Sequence, residues 1–481
     1  MDVLIIGGGV LGLSTAVRLA GGGLSVTVVE PEAGGGGASR AAGAMLGCFG
    51  EITAAGLRSD AFAARHALAL RTRALWPGWA AELADHGGGD LLNRFGTDVV
   101  LNAAGADVVD TRNFAAIEAA VKDAGEEHSV EQGSPWAADL PQQRERPFAT
   151  LHLPHEGSVP ADRLLTALRA TALARGVRFV DDAVSEVTVG VGGRLESVVL
   201  RSGVRFTPRH AVVAAGAFSR RLAEAVADLP PVMPVVAGVG VSVVVSAPGI
   251  GAALGRVVRT PNRAFACGLH AIPRSRDVIY IGATNVVHTD PRAHAPTQDV
   301  HFLIECAMRQ LPVDVAEAGI VQVQTGNRPV PLDGAPVLGM TAVDGLWFLT
   351  GTYRDGLFLS PLLSQQLADA IIGGHTEVPG WEMFGPHRAR IGAGDRQTVV
   401  DEAVAHSMAS GFETDWGLSN YWLRMVKGSF RSALRSVADR IADDAMPVPE
   451  VLARIPNQPG LLRLVNDYDK ATARAGSGVS G

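Results

Sequence analysis

Short, almost unbroken apolar runs punctuate the chain at Val3-Leu4-Ile5-Ile6, Val26-Thr27-Val28-Val29, Ala211-Val212-Val213-Ala214 and Leu346 to Leu349. Such runs suit strands of a parallel sheet covered on both faces, where neither side of a strand meets water. Between them the apolar positions shift to helical spacing. Leu164, Leu165 and Leu168 mark a helix between Pro160 and Arg175, the strand Val177-Arg178-Phe179-Val180 follows, and Ser360 to Ile372 reads as a helix with Pro361 in its first turn. Alternation of this kind predicts a doubly wound α/β sheet. A different pattern interrupts it, since Val235 to Val245 and Val278 to Ile281 predict longer strands of an antiparallel sheet. Far downstream, Trp422, Val426, Phe430, Leu434, Val437 and Ile441 form a stripe that predicts an amphipathic helix from Ser419 to Asp443, with Ser419 as N-cap. Ala471 to Gly481 is small and polar and is expected to be disordered.

The turn after the first strand carries the first candidate chemistry. Gly7 permits the tight turn, Gly9 lets backbone approach a pyrophosphate, and Gly12 lets the helix pack closely on the strand. Val10 and Leu11 open that helix, whose N–H groups and positive dipole end suit a phosphate. Glu30 closes the second strand 18 residues beyond Gly12, the right distance to accept hydrogen bonds from a ribose diol. Strand, glycines, helix, strand and terminal acid in this order predict dinucleotide binding.

The stretch Gly34 to Leu46 is too small in side chain for ordinary core, and small residues let backbone lie against a ligand while Ser39 and Arg40 offer a hydroxyl and a cation to phosphate. With Ser39-Arg40-Ala41-Ala42-Gly43-Ala44-Met45-Leu46 and Glu51, the sequence resembles the flavin-dependent amine oxidases of the D-amino-acid oxidase superfamily, and most of all the glycine oxidase group. The resemblance runs at intervals over about residues 1 to 375. It implies a Rossmann-type FAD-binding domain of α/β class with an interleaved antiparallel-sheet substrate domain, and this chain adds a C-terminal helical extension. The expected division is 1–44, 156–229 and 326–385 for the FAD-binding domain, 45–155 and 230–325 for the substrate domain, and 386–481 for the helical extension with its disordered end.

The resemblance also implies site residues. Ser39, Arg40, Ala42, Gly43 and Met45 match the second FAD loop, and Ala215 and Gly216 end the returning strand of the FAD domain. Gly351, Tyr353, Arg354, Asp355, Gly356 and Leu357 match the last flavin motif, a turn that starts a helix beneath the isoalloxazine ring. Arg328, in Gly326 to Gly334, falls on the carboxylate-binding arginine, and a guanidinium suits that task because it can hold a carboxylate through two parallel hydrogen bonds. Arg354 falls on a second active-site arginine. Departures point to a rebuilt pocket: His270 stands where the family places a tyrosine, Phe265 where it places a second, and Thr352 replaces a histidine or similar residue. With an ordinary pKa near operating pH, His270 is a candidate to accept a hydrogen bond or a proton from the substrate ammonium. Cys48 does not sit where covalent relatives attach their flavin, so FAD is expected to be non-covalent.

The implied activity is oxidation of an amine or amino acid by hydride transfer to flavin N5, giving an imine and, with O2, hydrogen peroxide; altered pocket positions suggest a specialised-metabolite amine. Alternatives are a dehydrogenase of the same fold with another acceptor, an NADPH-using monooxygenase, and a non-catalytic flavin-bound subunit of a complex.

Composition narrows the partners. The 481 residues are 47% apolar, with net charge −7, which offers no nucleic-acid footprint. Three cysteines, Cys48, Cys267 and Cys306, have no CxxC spacing, so neither a disulfide framework nor a zinc site is expected. A first strand at the very start leaves no room for a signal peptide, and there is no apolar run of about 20 residues, so a cytoplasmic location without membrane association is expected. For the extension, three readings stand: a helix packed on its own subunit, a dimerisation arm that would make a homo-oligomer, or a cover over the pocket.

Overall fold

The computed structural model describes residues 1–31, 36–102, 108–133, 147–261, 268–374, 380–413, 417–442 and 446–477. Gly34, Gly35, Phe265, Cys267, Asp443, Asp444 and the chain end from residue 478 lie outside the described residues.

The apolar runs form one six-stranded sheet in the order Val337–Met340, Leu346–Thr350, His210–Val213, Val3–Ile6, Val26–Val29, Arg178–Val180. Neighbours pair in parallel except at the first pair, which is antiparallel. Ile5 stands opposite Val28 on one side and Val212 on the other. Alternate residues point to opposite faces, and each face has its own cover. Val3, Ile5, Val28 and Val212 pack with the helices Val10–Gly21, Ala161–Ala174 and Gly356–Gly373. Leu4, Ile6, Val29 and Val213 share a core with Val399, Val400, Leu434, Leu452 and Leu462 of the C-terminal extension. The extension is therefore packed on its own subunit, and it shares this core with Val187, Val198 and Leu200 of a three-stranded antiparallel sheet, Val184–Val189, Leu195–Leu200 and Arg205–Phe206.

Two expectations for the extension need correction. The helix runs Asn420–Ala438, and its first two turns meet the core through Leu423 and Val426 while their other side stays open, leaving Trp422 57% exposed beside exposed Tyr421 and Met425. Only the later part of the expected stripe, Leu434 and Ile441 fully and Val426, Phe430 and Val437 partly, is buried. Ser419 occupies the N-cap position with no side-chain capping bond. The residues from Ala471 to Ser477, expected to be disordered, continue the helix Pro459–Ser477, because Leu461, Leu462, Val465 and Tyr468 anchor its apolar face in the same core.

A nine-stranded sheet holds the substrate side. Its order is Val286–His288, Val235–Ser246, Val278–Gly282, His270–Ser275, Val257–Arg259, Thr97–Asn102, Pro147–Leu153, Ser129–Gln132, with Gly319–Pro331 also paired to Val235–Ser246. Pairing is antiparallel except between Val257–Arg259 and Thr97–Asn102. The strand Gly319–Pro331 crosses the expected domain division at 325/326 without a break, so Arg328 projects from the substrate sheet.

Candidate active site

Parallel strands end at the same edge, so the carboxyl ends of Val3–Ile6, Val26–Val29, His210–Val213 and Leu346–Thr350 bring Gly7, Glu30, Ala215, Gly216 and Gly351 into one row. This is the edge at which open α/β sheets bind ligands. The chain there is shaped by what a side chain would hit. Gly7 has φ +114°, and a Cβ on it would lie 2.5 Å from the Ala214 carbonyl oxygen, while a Cβ on Gly12 would run into the Gly7 carbonyl. Gly9 faces Ser39, whose Oγ accepts the Val10 N–H at 3.0 Å. Glu30 reaches back so that its Oε2 accepts the Gly8 N–H. Val10 and Leu11 are buried in the helix that follows.

The second loop docks on the substrate sheet through its carbonyls. Ala41 O accepts the Tyr280 hydroxyl at 2.9 Å, and Arg274 Nη2 donates to Ala42 O and Gly43 O, each at 3.3 Å. Met45 pairs with Ser158, and Arg40 is exposed with its carbonyl on Gln324 Nε2. Gly43 faces the His270 ring, whose Nε2 would sit 3.0 Å from a Cβ there.

At the other end of this loop the site changes from backbone to charge. Glu51 Oε1 takes Arg259 Nη1 at 2.9 Å, and Glu51 Oε2 lies 3.8 Å from Arg354 Nη1. Burial opposes the charge on Glu51, yet Arg259 and Arg354 hold its carboxyl at about 2. Arg354 is likewise disfavoured by burial, but Tyr353, Glu51 and Glu450 keep it protonated beyond the ordinary arginine range. Arg328 Nη1 donates to Thr284 O at 2.8 Å and lies 3.5 Å from Asn285 Oδ1. Its guanidinium crosses the neighbouring strand over Gly240, where any Cβ would overlap it. A backbone bond from Tyr353 N to Pro329 O, 3.0 Å, ties the turn carrying Arg354 to the strand carrying Arg328. Tyr353 itself has φ +52°, a conformation that costs a non-glycine residue about 1–3 kcal/mol unless its surroundings fix it. Its hydroxyl is held by Asn285 Nδ2, Arg354 Nη2 and Glu450 Oε1. Asp355 pairs with Arg65 Nε at 3.2 Å and precedes the helix opened by Gly356 and Leu357.

Arg354 and His270 thus lie about Glu51, while Arg328 stands on the far side of His270 and Tyr353, close enough for its charge to act on both. His270 differs from expectation in its ionisation. Its Nδ1 donates to Gly268 O at 2.8 Å, its ring stacks on Tyr280 at 5.8 Å, and burial, helped by the positive charges of Arg259 and Arg328, pushes its pKa down to about 3. The ring is neutral near pH 7, with Nε2 as a hydrogen-bond acceptor and a weak base. Cys48 is buried, and burial together with Glu156 pushes its thiol up to about 12, far from a reactive thiolate. Sequence reasoning missed Arg259 and Glu450, which carry no local motif. Glu51 lay in a stretch singled out for its resemblance but was given no role of its own.

Residues 2–370 match the family model described as FAD dependent oxidoreductase (DAO). The chain belongs to this family. It is 29% identical over 378 residues to a glycine oxidase of Geobacillus kaustophilus, covering 77% of this chain and 92% of that one. A bifunctional ThiO/ThiG protein of Trichormus variabilis is 28% identical over 380 residues, and the chain spans only about half of it, 52%, while 77% of this chain is covered. The glycine oxidase crystal structure from Geobacillus kaustophilus superposes with TM-score 0.67 at 27% identity, covering 80% of this chain and 98% of that one. An iminodiacetate oxidase from a Chelativorans species has the same fold, with TM-score 0.68 at 23% identity over 80% and 99% of the two chains.

The chain is therefore an FAD-dependent oxidoreductase, and the residues present fit FAD. The Gly7 turn admits no side chain, the first-helix N–H groups meet the Ser39 hydroxyl, and Glu30 stands at the end of the second strand. Among the described residues no cluster suits a metal ion, and no helix is long and apolar enough to cross a membrane.

Proposed function

We propose that this protein oxidises a small amine or amino acid bearing a carboxylate. The observation that carries this reading is Arg328, laid over Gly240 and anchored by Thr284 O, beside a turn that also presents Arg354. A guanidinium fixed in place by a carbonyl can meet a carboxylate through parallel hydrogen bonds, which sets the substrate's orientation as well as balancing its charge. Bound FAD supplies two-electron acceptance at a carbon next to nitrogen. The chain's part is to aim that C–H bond, to exclude water and to leave the amine as its free base, whose lone pair pushes electrons as the carbon loses hydride and the imine forms. Neutral His270 suits this role as an acceptor for an amine N–H. O2 is the proposed final acceptor, reduced to hydrogen peroxide. The glycine oxidase and iminodiacetate oxidase relatives support an α-amino or α-imino acid as substrate. Gly7, Gly9, Val10, Leu11, Gly12, Glu30, Ser39, Arg40, Ala42, Gly43, Met45, Ala215, Gly216, Gly351, Tyr353, Asp355, Gly356 and Leu357 form the proposed FAD cradle, with FAD bound non-covalently.

The test is anaerobic mixing of the flavin-loaded protein with amino acids, amines and hydroxy acids. Bleaching by a carboxylate-bearing amine, followed by peroxide on admitting air, is expected. Bleaching by hydroxy acids alone, or by NADPH alone, would overturn the reading.

A further inference from the structure

The residues beyond 370 lie outside the family match, yet they reach the site. Val448 N donates to Leu332 O at 3.2 Å, and the short helix Pro449–Arg454 then lies against the strand Val286–His288, with Val451 and Leu452 in the same core as Val287, Val330, Leu332 and Tyr353. Just after it, Gln458 clasps the strand Val286–His288 and the residue that follows, donating from Nε2 to Val287 O at 2.8 Å and accepting the Thr289 N–H at 3.1 Å. Held at both ends, this segment places the buried carboxylate of Glu450 against the Tyr353 hydroxyl at 3.2 Å.

The hydrogen-bond polarity around that hydroxyl has a consequence. Arg354 Nη2 and Asn285 Nδ2 both donate to the Tyr353 oxygen, and a phenol has one proton to give, which goes to Glu450. Because the Asn285 amide turns its NH2 to Tyr353, its Oδ1 faces Arg328. Take the Glu450 acceptor away, and the Tyr353 hydroxyl loses the partner that fixes the direction of its proton, so the Asn285 amide and the oxygen it turns toward Arg328 are no longer held in one orientation.

We propose that Glu450 is a positioning residue: through Tyr353 and Asn285 it orients Arg328 for the substrate carboxylate, so that the C-terminal extension is part of the specificity machinery. This rests on the reading of Arg328 as the carboxylate-binding group. Glu450 lies beyond the region that matches the family.

The experiment titrates the flavin-loaded protein with acetate, the minimal carboxylate, and follows the flavin absorption spectrum. In parallel, KM and kcat are measured with glycine or whichever carboxylate-bearing donor bleaches the flavin, and with methylamine as carboxylate-free control. Glu450→Met and Tyr353→Phe should each weaken acetate roughly tenfold, and Glu450→Met should raise KM for the carboxylate-bearing donor with kcat and methylamine oxidation little changed, the size expected for disturbing a hydrogen bond to a charged group. The double variant should be no worse than either single one, since both break the same relay. Glu450→Gln, which keeps an acceptor oxygen, should restore acetate binding. Should Glu450→Met fail to fold, Tyr353→Phe carries the test. Wild-type acetate affinity in a flavin-loaded Glu450→Met or Tyr353→Phe protein, or an equal loss with methylamine in Glu450→Met, would overturn the proposal. Arg328→Ala separates the two readings: if acetate binding is absent from the wild type, or unchanged by that substitution, the reading of Arg328 itself falls.

Discussion

The two ends of the site are built from different materials. At the sheet edge, Gly7, Gly12 and the small residues of the second loop shape a surface of backbone, and what matters is the absence of atoms. Around Arg328 and Arg354, side chains from five distant parts of the chain, Glu51, Arg259, Asn285, Tyr353 and Glu450, meet, and what matters is the balance of charge and the direction of each hydrogen bond. A backbone-built edge should fail abruptly when a side chain is added and should ignore changes in charge. A charge-built cluster should tolerate changes of size and respond in graded fashion to changes of charge.

The sharpest way to test the first half is Gly12→Val. Its side chain would collide with the Gly7 carbonyl, so the purified protein should carry no flavin absorbance and unfold at a lower temperature. Retained flavin would mean that the turn yields more readily than its geometry suggests. Arg328→Ala comes next and probes the second half. The protein should keep its flavin, and kcat/KM for a carboxylate-bearing donor should fall by roughly 10- to 100-fold, the worth of a charged hydrogen bond. Loss of flavin would put Arg328 in the cradle instead.

Glu51→Gln should act on stability. It leaves Arg259 and Arg354 without their shared carboxylate, and because that carboxylate keeps 22% exposure the cost should be about 1–3 kcal/mol, below the full penalty for a buried pair, read from denaturant unfolding of the flavin-loaded protein. No change in the unfolding midpoint would mean that solvent replaces the carboxylate at no cost.

The pH dependence follows from shifts of two kinds. His270 is held neutral down to about 3 against an ordinary value of 6.5, so an unfolded chain binds a proton that the folded one refuses as pH falls below 6.5. Its contribution is complete above pH 6.5 and is lost toward pH 3. Glu51, lowered to about 2 from 4.5, contributes fully above pH 4.5 and loses that contribution as pH falls toward 2. Unfolding temperature should therefore decline on acidification from pH 6.5, and His270→Gln should flatten the part of the slope between pH 6.5 and 3. An unchanged slope would place the proton uptake elsewhere. The smallest effect belongs to Cys48. Its unreactive thiol predicts that denaturation releases flavin fully from wild type and from Cys48→Ser alike; flavin that stays attached only in the wild type would contradict this.

The same contrast explains what is legible in the sequence. A backbone-built edge leaves its mark locally, because only glycine can occupy Gly7 or Gly12, and the strands Val3–Ile6 and Val26–Val29 and the dinucleotide-binding edge are readable from the order of residues alone, while the choice of flavin rests on resemblance. Arg328 and Arg354 came from resemblance, since an arginine before a proline has no spacing that separates a clamp from a surface ion pair. Arg259 and Glu450 had no signal at all. Their role arises where the parallel pairing of Val257–Arg259 and the return of the extension carry them, a matter of tertiary packing. His270 was visible, but its neutrality depends on burial that a sequence does not display. Trp422 lies on the expected helical stripe and still points outward, because in the first turns of its helix it is Leu423 and Val426 that meet the core holding Leu434.

The most direct measurement compares anaerobic flavin reduction by each amino acid that bleaches the protein with reduction by the matching amine lacking the carboxylate, in wild type and in Arg328→Ala. The carboxylate reading predicts that the wild type prefers the amino acid and that the preference collapses in the variant through slower reaction of the amino acid, with the amine unaffected. Equal slowing of both donors, or a preference that survives without Arg328, would contradict it.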